Sequence, residues 1–170
     1  MKALAAFVIL TSSLVVSAAG VSAQEAQGSD AADGDIYWGT ECTGPSRNAD
    51  ELVCTATQSI IVTETEQLLF RIKVIVPAGH GAPVMEIQGP LNFFLPGGFA
   101  LTVDGADLAK VAVRNCNQSG CYGALKLEAA MVDVLKRGSD LRISFLSAPE
   151  TSKFVETPLA GFTRAMQAIE

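Results

Sequence analysis

The chain has 170 residues, 12 Lys plus Arg against 18 Asp plus Glu, a single His and a formal net charge of −6. Lys2 is the only charged residue among the first 23, so a chain without them carries −7. That length amounts to about one domain with an ordinary hydrophobic core. The acidic balance excludes a nucleic-acid partner, whose recognition draws on Lys and Arg, and one histidine excludes a metal site built on a histidine pair.

Met1 and Lys2 make a short basic start, Ala3 to Val16 is an almost unbroken apolar run, and Val21-Ser22-Ala23 supplies small residues where a signal peptidase reads. Residues 1–23 are expected to be a secretory signal peptide cleaved before Gln24. A membrane anchor needs about twenty apolar residues, and Thr11-Ser12-Ser13 interrupts this run. No later stretch is long and apolar enough to span a bilayer, so no transmembrane segment is expected in the mature chain. Residues 24–35 carry Gln24, Gln27, Asp30, Asp33 and Asp35 among small residues and read as a flexible acidic leader. Residues 36–170 are expected to form a single β-rich domain.

Within that domain, strands are expected at Ile36 to Gly39, Leu52 to Ile61, Leu68 to Val76, Pro83 to Ile87, Ala100 to Asp104, Lys110 to Asn115, Tyr122 to Leu127, Leu141 to Leu146 and Phe154 to Thr157. Leu68, Phe70, Ile72, Val74 and Val76 alternate with Leu69, Arg71, Lys73 and Ile75, which gives one apolar and one mixed face. Turn formers separate the runs: Pro77-Ala78-Gly79-His80-Gly81, Gln88-Gly89-Pro90, Pro96-Gly97-Gly98 and Asp104-Gly105. Two segments have helical spacing instead. Glu128 to Arg137 places Ala129, Met131, Val132 and Leu135 together, with Gly138 as a stop, and Pro158 to Ile169 places Leu159, Phe162, Ala165, Met166 and Ile169 on one stripe. The fold class is therefore mainly β: an antiparallel β-sandwich or barrel-like domain with one or two short helices, including a C-terminal one.

Cys42, Cys54, Cys116 and Cys121 form an even set in an exported chain, which reads as two disulfides. Three pairings are possible. Cys42 with Cys54 and Cys116 with Cys121 is expected, because each partner is the nearest in sequence and each pair flanks turn formers. A zinc site fits poorly with spacings of 12 and 5, and the redox motif Cys-x-x-Cys is absent.

Local signatures of nucleophile elbows, phosphate loops, dinucleotide sites and zinc proteases are missing. His80, in a Gly/Pro loop, is the one candidate general base for a hydrolase, though a lone loop histidine is more often simply exposed. Asp104 and Asp107 read as turn and capping residues rather than a catalytic carboxylate pair. Tyr37, Trp38, Phe93 and Phe94 lie beside turns and offer a possible binding surface; the same residues could equally close one end of the core. Catalytic, cofactor-binding and metal residues are all expected to be none.

Six pieces in order carry a resemblance: Trp38 followed by Cys42; Cys54 followed by Gln58; Leu95-Pro96-Gly97-Gly98-Phe99 leading to Val103-Asp104-Gly105; Cys116 with Gly120-Cys121; Leu135-Lys136-Arg137-Gly138; and Leu159-Ala160-Gly161-Phe162. With these the chain resembles the invasion-associated locus B family, exported proteins of alphaproteobacteria, over nearly its whole mature length. The acidic leader and the longer interval between Cys116 and Gly120 depart from the family's pattern. The resemblance implies an envelope-associated protein of a family named for promoting host-cell invasion, and it carries over no catalytic residue. The expected function is a non-enzymatic interaction protein of the periplasm, envelope or exterior, with an envelope or host-surface component as partner. The alternatives are a small-ligand or carbohydrate-binding periplasmic protein, or a hydrolase using His80.

Overall fold

Alternation of apolar and polar side chains along β-branched runs commits most of the chain to half-buried strands, and the computed structural model, which describes residues 38–62 and 64–170, contains ten of them. The expected signal peptide, the acidic leader, Ile36 and Tyr37 lie outside the described residues. The strands are β1 (Gly39–Thr43), β2 (Val53–Val62), β3 (Gln67–Val76), β4 (Val84–Gly89), β5 (Phe99–Val103), β6 (Ala106–Val111), β7 (Val113–Asn117), β8 (Gly120–Lys126), β9 (Asp140–Ala148) and β10 (Thr151–Pro158). Helix α1 (Ala129–Arg137) precedes β9, and helix α2 (Phe162–Ile169) follows β10. The strands pair antiparallel in two sheets, one of six strands in the order β1-β2-β3-β4-β8-β7 and one of four in the order β10-β9-β5-β6.

The inner faces of both sheets supply the core of this sandwich. Phe70, Ile72 and Val74 of β3, with Met85 and Ile87 of β4, face Phe99 and Leu101 of β5 and Leu141 and Ile143 of β9, all buried. Aromatic rings gather at two places. Phe70 packs edge-on against Phe99 at 5.8 Å, and Phe93 stacks on Phe99 at 5.2 Å and meets Phe145. Apart from these, Trp38 meets Phe162 of α2 at 5.0 Å between ring centroids. Helix α2 buries Phe162, Ala165, Met166 and Ile169, the stripe expected from sequence, and packs against β1, β2 and α1.

Two expectations need correction. The run Lys110 to Asn115 is not one strand: Val111 pairs with Phe99 in the four-stranded sheet, while Val113 pairs with Gly123 in the six-stranded one. The chain changes sheets at Ala112, and missing side chains allow it. A Cβ on Gly123 would meet the Ala112 carbonyl oxygen at 2.8 Å, and one on Gly98, whose φ is +60°, would meet the Val111 oxygen at 2.5 Å. The last helix starts at Phe162 rather than Pro158, because Pro158 still pairs with Asp140 at the end of β10. An edge strand tolerates proline there, since no ladder partner awaits its missing N–H. Gly138 ends α1 as expected, in an extended conformation (φ −73°, ψ 158°), and a side chain there would collide with Val103 and Leu159.

Asp104 and Gly105, both at positive φ, form the two-residue turn between β5 and β6. The Asp104 carboxylate accepts hydrogen bonds from the backbone N–H groups of Ser139 and Asp140 at 2.9–3.1 Å, which fixes it as a structural residue tying this turn to the start of β9.

Phe162 is fully buried and anchors α2 through Trp38. Phe162→Ala is therefore expected to destabilise the domain by about 3 to 5 kcal/mol, the usual cost of emptying a buried aromatic site. Thermal unfolding should show a melting temperature lower by several degrees. A shift of no more than about a degree would mean that α2 does not complete the core.

Candidate functional site

Of the aromatic residues read as a possible binding surface, Trp38 retains 3% and Phe93 8% of its exposure, so both serve the core and neither offers a ring to a ligand. Phe94 is half-buried, its backbone N–H bonded to the Leu146 carbonyl, and Tyr37 lies outside the described residues. His80 sits at the surface, where its Nε2 lies 3.2 Å from Asp50 Oδ1 with both side chains largely exposed. Among the described residues this is the only side-chain hydrogen bond His80 makes, and no hydroxyl or thiol approaches it as a nucleophile would need to. Asp107 is exposed on β6 and pairs across the strand with Thr102.

The four cysteines are joined as expected, Cys42 to Cys54 and Cys116 to Cys121, each with 4.0 Å between Cα atoms. Both links join residues directly opposite each other on neighbouring strands. Because β1 and β7 are the two edges of the six-stranded sheet, each bridge fastens an edge strand to its one partner among the described residues.

The outer face of that sheet carries the mixed side of β3. Alternation places Arg71 and Lys73 there, and the hairpin register sets Ser59 of β2 opposite Arg71 and Thr57 opposite Lys73. The result is a block of two cations and two hydroxyls. On one side, β1 brings Gly39 opposite Thr57; on the other, β4 brings Glu86 opposite Lys73 and Gln88 opposite Arg71. With no side chain at Gly39, the surface dips into an open groove of about 470 Å³ lined by Gly39, Thr40, Glu41, Thr57, Ser59, Arg71 and Lys73. Arg71 Nε donates to the Ser59 hydroxyl at 3.4 Å. The ion pairs among the described residues are His80–Asp50, Lys136–Glu170 and Arg142–Glu156, so Arg71 and Lys73 have no carboxylate within pairing distance.

A second depression, about 500 Å³, lies beside α1 between Pro83, Leu127, Ala129, Val132 and Lys136. Its cation is already engaged, with Lys136 Nζ 3.1 Å from both carboxylate oxygens of Glu170. The groove over β2 and β3 is thus the place where uncommitted polar groups converge. Sequence reading placed Arg71 and Lys73 on a mixed face but did not single them out. The usable signal was the pairing of Thr57-x-Ser59 with Arg71-x-Lys73 across one hairpin. No group of three or more His, Cys, Asp or Glu that could hold a metal occurs among the described residues, and none of their helices is long and apolar enough to cross a membrane.

A family model described as invasion associated locus B (IalB) protein matches residues 38–170. Among solved structures, the chain is similar to the crystal structure of invasion associated protein B from Bartonella henselae, with a TM-score of 0.64 and 18% identity, over 78% of this chain and 91% of that one. At that identity the likeness bears on the fold. No match was found among curated proteins.

The β1 wall of the groove is held by a single strand ladder, the Cys42–Cys54 bridge and the packing of α2. Replacing both cysteines by Ser is expected to lower stability by about 2 to 3 kcal/mol, from the loop-closure entropy of a span of 12 residues. Denaturant unfolding measures the loss. Amide hydrogen exchange in β1 should rise more than in β3, and uniform exchange would show that the bridge does not act locally.

Proposed function

This chain belongs to the invasion associated locus B family, and we propose that it works as an exported, non-enzymatic interaction protein that meets its partner on the outer face of the six-stranded sheet. One observation carries the reading: that face presents a polar groove whose cations have no carboxylate partner among the described residues, bordered by an edge strand covalently fixed in place. Burial on one side and polarity on the other is the ordinary state of an antiparallel sheet. What sets this face apart is a depression that gathers Thr57, Ser59, Arg71 and Lys73 across one hairpin.

Export is supported by the basic start, apolar run and Val21-Ser22-Ala23 of the first 23 residues, and by two disulfides, which persist in oxidising compartments. A binding role accords with the surroundings of His80: an exposed histidine–aspartate pair with no nucleophile beside it among the described residues lacks the parts for acyl transfer. The partner is an envelope or host-surface component.

A photo-cross-linking side chain at Ile61, exposed on the same outer face beyond the groove, tests the assignment in intact cells. It should give a discrete adduct, and mass spectrometry should find the adducted chain beginning near Gln24. The same probe at Ser147, exposed near the end of β9 in the other sheet, should give none. Equal labelling at both positions would remove the outer face as the recognition surface, and an intact Met1 in the adduct would defeat export by cleavage.

A further inference from the structure

We propose that the groove binds its ligand through an oxyanion, a carboxylate or a phosphate on an otherwise uncharged polar molecule, seated on Arg71 and Lys73 with Thr57 and Ser59 beside it. The inference rests on the outer face being the recognition surface and names the chemistry that face takes.

Residues two apart on a strand share a face roughly 7 Å apart along the chain. Arg71 and Lys73 therefore lie close enough on one face for both positive charges to reach a single anion seated between them. Neither cation is paired with a carboxylate among the described residues. Arg71 has one side-chain hydrogen bond, at 3.4 Å to Ser59, and a guanidinium carries five N–H donors in a fork that suits a carboxylate or phosphate. Thr57 and Ser59, opposite the two cations, add hydroxyls that can donate to an oxyanion or bond to a neighbouring polar group.

The rims decide what kind of anion. Glu41 lines the β1 side and Glu86 pairs across from Lys73 on the β4 side. Carboxylates on both flanks repel a polyanion, and they accept hydrogen bonds from the hydroxyls of a neutral body. A small oxyanion on a polyhydroxylated or similarly neutral scaffold satisfies both requirements. Gly39 provides the room: a Cβ there would meet only the Thr57 carbonyl oxygen, at 3.9 Å, so a larger side chain would fold and occupy the groove.

The test is a titration of the isotopically labelled, purified protein with sodium glucuronate, inorganic phosphate and uncharged glucose at constant ionic strength, followed by the backbone amides of Thr57, Ser59, Arg71 and Lys73. Saturable shifts localised to these residues are expected with one or both anions and not with glucose. Glucuronate alone being effective assigns a carboxylate-bearing ligand, and phosphate alone a phosphate-bearing one. The double variant Arg71→Gln, Lys73→Gln should weaken binding at least tenfold, and Gly39→Leu, which keeps both charges, should block it. No localised shift with either anion, an equal response to glucose, or unchanged binding in the double variant would overturn the proposal. If the anions fail while cross-linking at Ile61 persists, the oxyanion chemistry falls and the recognition face stands; if cross-linking fails as well, the face itself is lost.

Discussion

The outer strands of the six-stranded sheet are held by covalent bonds where burial cannot hold them. All five residues of β1 are exposed, and β7 is exposed apart from Val113. A strand gains most of its stability from packing on neighbours, and an edge strand with little buried surface has only one ladder to keep it. The Cys42–Cys54 and Cys116–Cys121 bridges supply what is missing, at the two ends of the sheet order. They also fix register, since each joins residues directly opposite one another. A slip of one residue in β1 would reverse which side chains face outward and take Gly39 and Glu41 out of register with Thr57 and Thr55.

The four-stranded sheet meets the same constraint by different means. Its edge strand β10 carries Lys153 and Glu156 and ends at Pro158, residues that discourage pairing with another chain. Glu156 is paired with Arg142, and the Arg142 guanidinium also lies 4.4 Å above the exposed ring of Phe154. These side chains are committed to one another. Arg142 is thus engaged, whereas Arg71 and Lys73 on the outer face of the other sheet have no carboxylate partner among the described residues.

Period-two alternation in β3, the Asp104-Gly105 turn, the apolar stripe of α2 and the disulfide pairing were legible in the sequence because each depends on neighbours a few residues away. What was not legible depends on distant contacts. The break at Ala112 arises because Val111 and Val113 find partners in different sheets, a fact set by Phe99 and Gly123 rather than by anything in the run Lys110 to Asn115. Trp38 and Phe93 look alike as aromatics beside turns, and only the positions of Phe162, Phe99 and Phe145 decide that both rings are covered. The groove falls between these cases. Its four polar residues occupy two short stretches of one hairpin, and their meeting follows from a register that shifts beyond them, between Ile60 and Ile61.

Gln58 shows how the groove depends on the interior. Its side chain is 2% exposed, and its Nε2 donates to the Pro158 carbonyl at 3.1 Å, joining β2 of one sheet to the last residue of β10 in the other. That bond holds the chain where it leaves the sheet to enter α2, and α2 in turn places Phe162 against Trp38. Trp38 immediately precedes β1, so its packing sets where the wall of the groove begins. The arrangement has a cost, because Gln58 Oε1 and Trp38 Nε1 are buried without hydrogen-bond partners among the described residues, and an unmade bond of that kind typically costs about 1 to 3 kcal/mol. An apolar residue at position 58 would remove the unpartnered oxygen and with it the one side-chain hydrogen bond that joins β2 to the end of β10. The polar side chain is thus better explained by the geometry it imposes on β1 and α2 than by the stability it adds.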